Sequence, residues 1–154
     1  MNLISQVLLN SVILQILTKK WTKYASLERS AIARYWRAKI IKNVGDRLIF
    51  WYPRTSDHSN ESAFTDVLEC CITMIEAHDV INQKLDEEEL PSLSYRISAD
   101  YGRVQVARSA TSQSDDLFGP IMNMCSKINS QALPNGVAIG DGLYQLLQSL
   151  FAFF

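Results

Sequence analysis

Residues 39–52 read KIIKNVGDRLIFWY, two apolar runs on either side of a Gly-Asp pair. Runs of this composition are strand-forming, and Gly with Asp suits the tight turn of a hairpin. The stretch predicts strands over 38–43 and 47–52 with Val44-Gly45-Asp46 as the tip. Pro53 closes the second strand because it cannot donate to a ladder, and the polar TSDHSNES behind it leads out of the sheet.

Downstream of the hairpin the period changes. From Ser62 the apolar positions Phe64, Val67, Leu68, Cys71 and Ile75, with His78, fall at helical spacing, so one stripe is buried. DEEE at 86–89 forms the solvated end of this helix and Pro91 stops it. SLSYRISADYGRVQVA, 92–107, then alternates: Leu93, Tyr95, Ile97 and Ala99 share one face, and Ser94, Arg96, Ser98 and Asp100 the other. Tyr101-Gly102 reads as a turn, with Val104 and Val106 starting the returning strand, and RSATSQSDD, 108–116, as a polar loop. A helix over 121–133, a short strand over 136–139 and a last helix over 141–150 follow, the last capped at Gly140-Asp141.

Upstream, 22–37 has helical composition with Tyr24, Leu27, Ile32 and Tyr35 as apolar points, and MNLISQVLLNSVILQIL, 1–17, reads as a helix with a broad buried face. NLISQVLLNSV fits a strand as well. The division this implies is an N-terminal helical segment over 1–37 and a main body over 38–154, together one domain. Strand pairs alternating with helices give an α+β fold with helices against one main sheet.

Composition narrows the function. A chain of 154 residues, 47% hydrophobic and 20% charged, can bury a core and is not disordered. The net charge of −1 hides ten Lys and Arg against two acids in 1–54, and five against fourteen in 55–154. Such halves attract within one fold or between two copies, and the basic half also suits a polyanion such as a nucleotide. Cys70, Cys71 and Cys125 have no metal-ligand spacing, and His58 and His78 stand alone, which leaves no visible His-based metal site or triad. Buried, reduced thiols and a cytoplasmic location are the expectation. No stable membrane insertion is expected of the polar-interrupted N-terminus, and the basic–aromatic mix of 22–37 reads as a helix face, with no nucleic-acid partner.

KIIKNVGDRLIFWY, a long helix, SYRISADYGRV and DDLFGPIMNMCSKI follow one another at intervals that resemble the class III nucleotide cyclase catalytic domain, from about Ala38 to Leu147. The resemblance implies a ferredoxin-like core, a homodimer with active sites across the subunit interface, and ATP as substrate. Cyclisation drives the ribose 3′-oxygen onto the α-phosphorus and expels pyrophosphate, with two divalent ions, Mg²⁺ or Mn²⁺, to activate the oxygen and neutralise the triphosphate. By position Asp46 matches a metal-binding aspartate. Lys42, four residues earlier, and Asp116, seven residues before Asn123, match the adenine-selecting pair. Asn123 matches the ribose-orienting asparagine.

The sequence also departs from that pattern. Lys127 stands where the family carries an arginine against the phosphate, keeping the charge but losing the planar fork. Counting back from Asp46, the second metal carboxylate falls on Asn2, which is neutral, and Glu28 is the sole other acid before Asp46. Arg47 puts a cation beside Asp46 where a small residue is usual. Two functions follow as expectations: an adenylate-cyclase-type enzyme, or a cyclase-homology domain that binds nucleotide or dimerises without turnover. Outside the family, a plain α+β interaction domain is the remaining reading.

Overall fold

A computed structural model describes residues 3–18, 29, 31–44, 47–109 and 115–151. The hairpin forms as its sequence predicts. β2 (Lys39–Val44) pairs antiparallel with β3 (Arg47–Tyr52), and Val44 lies opposite Arg47, so two residues separate the strands. The register shifts between Ile40 and Lys42, which leaves Ile41 as the extra residue of a bulge.

The strand beside β3 is β1 (Leu3–Thr18), and this corrects the helical reading of 1–17. β1 is the centre of the sheet, flanked by β3 along Val12–Leu17 and by β4 (Tyr95–Ser109) along its whole length. Val12, Leu14 and Ile16 enter one core cluster and Ile13 enters another, on opposite faces. A strand buried on both faces loses the apolar–polar alternation that identifies strands in a sequence.

β4 runs unbroken through Tyr101 and Gly102, which pair with Val12 and Ser11, so the predicted turn is absent. Gly102 serves another purpose. A Cβ there would lie 3.0 Å from Ile121 Cδ1, so the glycine admits the helix packed above it. The 108–116 loop is correspondingly shorter: β4 extends to Ser109, and β5 begins within the predicted loop and covers Asp115–Phe118.

The strand order is β2-β3-β1-β4-β5, and the outer edge of β4 is shared between antiparallel β5 at Gln105–Arg108 and parallel β6 (Val137–Ile139) at Ile97–Ala99. β1 and β2 run parallel across an intervening strand, as do β3 and β4. This is the double split β-α-β arrangement of a ferredoxin-like core, an α+β fold as expected.

Helices cover both faces. α1 (Glu61–Glu87) starts at Asn60, whose side chain accepts from Ala63 N, and buries Phe64, Val67, Cys70, Cys71 and Met74. α3 (Asp141–Phe151) adds Leu143 and Leu147 to that cluster. The helical segment 31–35 contributes Ala33 and ends at Arg37 (φ 66), with Ala38 N donating to Ala33 O as in a Schellman motif. Among the described residues α2 (Pro120–Asn129) is the helix on the other face, packing Ile121 and Cys125 against Ile13, Ile49, Trp51, Val104 and Val106. Arg37 and Arg54 stand 3.2 and 3.7 Å from buried Asp66, so part of the charge asymmetry is met within the fold.

Candidate functional site

α2 organises the predicted site. Ile121, Cys125 and Asn129 are its buried positions, and Asn123 and Lys127 project from the exposed side, one helical turn apart. An amide and an ammonium spaced this way can meet two groups of one extended ligand. The helix is entered through Gly119, whose φ of 140 is closed to other residues, and Pro120 occupies its first turn.

The other predicted residues lie on strands that pack beneath the same helix. Ile41 of β2, Leu117 of β5, and Ile121 and Cys125 of α2 share one apolar cluster. β2 and β5 are the outermost strands of the sheet's main path, yet their Cα atoms come within 8 Å of each other. Lys42, next to Ile41, pairs with Ile49, and Asp116, next to Leu117, pairs with Ala107. Asp116 is half-buried and its carboxylate accepts from Leu117 N at 3.1 Å. The elements carrying Lys42, Asp116 and Asn123 are therefore packed together. Asp46 lies outside the described residues, as does Asn2.

Register sets the start of β1 far from the paired ends of the hairpin strands. β1 passes the hairpin turn at its C-terminal end, with Leu17 opposite Arg47 and Ile16 opposite Leu48, whereas Leu3, next to Asn2, lies opposite Ser109 at the other end. The β1 residue that faces α2 at the hairpin end is Gln15, a residue the sequence reading passed over. It is 1% exposed. Its Nε2 donates to Met122 O at 3.1 Å and its Oε1 accepts from Ser126 Oγ at 2.9 Å. Arg47 also turns towards Ser126, its guanidinium donating to Oγ at 3.4 Å.

A second set of polar groups fastens α2 one turn further on. Asn129 Nδ2 donates to Gln15 O, Arg96 O and Ser98 Oγ, and Ser98 Oγ donates to Cys125 O. Burial pushes the Cys125 thiol up to about 12, so it is no nucleophile at neutral pH. Cys70, Cys71 and Cys125 are all buried and free, as expected. Among the described residues no group of three or more His, Cys, Asp or Glu side chains gathers to hold a metal ion, and no helix is long and apolar enough to cross a membrane.

Asp100, on β4, has a structural task that the sequence did not reveal. Its carboxylate accepts from Tyr101 N at 2.8 Å and from Leu143 N at 3.2 Å, capping α3 from a neighbouring strand. Gly140, whose carbonyl accepts from Tyr144 N, starts the helix as expected. It has to be glycine, because an added Cβ would lie 2.1 Å from Asp100 Cγ.

Comparison with known proteins agrees with this geometry. The family model described as the adenylate and guanylate cyclase catalytic domain matches residues 12–153. A curated relative, "Putative adenylate cyclase 3" of Rhizobium meliloti (strain 1021), is 25% identical over 109 residues, covering 71% of this chain but 16% of the relative. The chain thus spans about a sixth of that protein's length. The adenylyl cyclase CyaB from P. aeruginosa superposes with a TM-score of 0.78 at 16% identity, covering 96% of this chain and 84% of that one. The catalytic core of a rhodopsin-guanylyl cyclase with converted specificity, in complex with ATPαS, gives 0.74 at 17% identity, with 94% and 85% covered.

Proposed function

Because the chain belongs to the adenylate and guanylate cyclase catalytic domain family, we propose that it is the nucleotide-holding protomer of an adenylate-cyclase-type centre, taking ATP at a subunit interface for conversion to cyclic AMP and pyrophosphate. The observation that carries this reading is the packing of β2, β5 and α2 around Ile41, Leu117, Ile121 and Cys125, which gathers the strands and helix bearing Lys42, Asp116, Asn123 and Lys127.

The roles follow from chemistry. Lys42 donates to, and Asp116 accepts from, the N1 and N6 edge of adenine, and guanine, with its donor and acceptor exchanged at that edge, meets the wrong partners. Asn123 holds the ribose, and Lys127, one turn along, neutralises phosphate charge as a point cation. Both are exposed, as groups that serve a ligand between two copies would be. A subunit interface brings these groups to face the hairpin of the partner. The divalent ions of the reaction, Mg²⁺ or Mn²⁺, would find one carboxylate there, Asp46, and none on β1.

Calorimetric titration with ATP and with GTP tests the reading. ATP is expected to bind more tightly, and Asp116→Ala is expected to weaken ATP by about tenfold or more, equivalent to about 1.4 kcal/mol. Equal affinity for the two nucleotides, unchanged in Asp116→Ala, would sink it.

A further inference from the structure

We infer that this chain does not build a two-ion centre of its own, and that Gln15 is the reason. The inference rests on the cyclase-type reading above and concerns the half of the site that binds metal. Two ions held between substrate oxygens need at least two carboxylates close together. In the sequence Asp46 falls between Val44 and Arg47, the paired ends of β2 and β3, so its companion would come from the strand that neighbours Arg47.

That strand is β1, and LISQVLLNSVILQILT contains no Asp or Glu. On the face covered by α2, the residues at the hairpin end are Gln15 and Leu17 of β1, Arg47 of β3 and Ser126 of α2. An amide, an alkyl chain, a guanidinium and a hydroxyl offer a dication no negative charge. Asp100, across from Ile13 on β4, is committed to the N-terminus of α3.

Nor is the Gln15 amide available as a neutral ligand. Both of its ends are bonded to α2, through Met122 O and Ser126 Oγ, in a position closed to solvent. Gln15 is a positioning residue: it sets the height of α2, and hence of Asn123 and Lys127, above the sheet. Arg47, its guanidinium on the same hydroxyl, adds a positive charge where an ion would have to enter. Any cyclisation at this interface therefore draws its ion-binding carboxylate from a second, different chain.

Manganese binding, read from the loss of the free-ion electron paramagnetic resonance signal, tests this without depending on turnover. The purified chain is titrated with Mn²⁺ alone and with Mn²⁺ plus ATP, alongside Gln15→Asp, Gln15→Glu and Asp46→Ala. Wild type is expected to hold no Mn²⁺ by itself and no more than the nucleotide brings, and to form no cyclic AMP. At least one of Gln15→Asp and Gln15→Glu, folded by circular dichroism, is expected to bind Mn²⁺ about tenfold more tightly than wild type, since a carboxylate then stands beside the hairpin. Wild-type Mn²⁺ binding that Asp46→Ala abolishes, Mn²⁺-dependent cyclic AMP from the purified chain, or folded Gln15 variants that bind no better than wild type would overturn the inference. The titration without ATP answers the metal question even if nucleotide binding itself fails.

Discussion

Ser126 Oγ donates to Gln15 Oε1 across 2.9 Å, joining the middle of α2 to the central strand of the sheet between residues 111 positions apart. Asn123 and Lys127 belong to the same helix, so this bond also bears on how they stand above the sheet. Gln15→Ala leaves the half-buried hydroxyl of Ser126 with Met122 O as its acceptor and opens space beneath α2. A loss of about 1–3 kcal/mol is expected in urea unfolding. Ser126→Ala removes the hydroxyl as well as its need for an acceptor, and its cost is expected at about 1 kcal/mol. The double variant is expected to cost less than the sum, because the two side chains share one bond.

Lys127→Arg tests the phosphate role. A guanidinium restores the planar fork that an ammonium lacks, so bidentate contact with phosphate becomes possible. ATP affinity is expected to rise in Lys127→Arg and fall in Lys127→Ala, while affinity for adenosine, which has no phosphate, changes in neither. Lys127 is exposed, so unfolding midpoints are expected to stay within about 0.5 kcal/mol of wild type. Parallel losses for ATP and adenosine would place Lys127 away from the phosphate.

How much of this was legible in the sequence depended on what covers each residue. The hairpin was readable because Gly45-Asp46 sits between two short runs of strand-forming residues. α1 and α2 were readable because each buries one stripe. β1 was not, since α1 and α3 cover one face of it and α2 the other, which leaves a continuous apolar run with no alternation. Gly102 misled for a related reason: a glycine that makes room for Ile121 looks the same in a sequence as one that turns the chain. Asn123 and Lys127 were named through the resemblance, and α2 carries them one turn apart on its exposed side. Gln15, Ser98 and Asp100 act through partners on other elements, and local periodicity carries no trace of them. The one available signal for Gln15 was a lone polar residue inside VILQIL.

Gly140→Ala is expected to be among the more damaging small substitutions, because the position is buried. Its new methyl would meet the Asp100 carboxylate at 2.1 Å, and that carboxylate is held in place by Tyr101 N and Leu143 N. Either the carboxylate leaves the helix start or the strand-to-helix connection shifts. A loss of about 1–3 kcal/mol in thermal or urea unfolding is expected. Gly136→Ala, where the nearest atom is Leu133 O at 3.0 Å, is expected to cost less.

Asp100 also gives the protein a pH signature. Burial raises its carboxyl above the ordinary aspartate value, and outweighs the two N–H donors that pull it down. A carboxyl whose native pKa is raised binds its proton more readily folded than unfolded. Between the unfolded value, about 3.9, and the raised native value, the native state therefore holds more protons. Stability from this group accordingly falls as pH rises through that window and is flat above it. Asp100→Asn keeps an oxygen that can accept from Leu143 N and removes the ionisation. Unfolding free energies measured from about pH 4 upward are expected to lose this component of their slope in Asp100→Asn. They are also expected to converge on or exceed wild type near neutrality, where the wild-type carboxylate is charged and buried. A variant curve parallel to wild type at every pH would show that Asp100 titrates with its ordinary value and that the two backbone donors fully offset its burial.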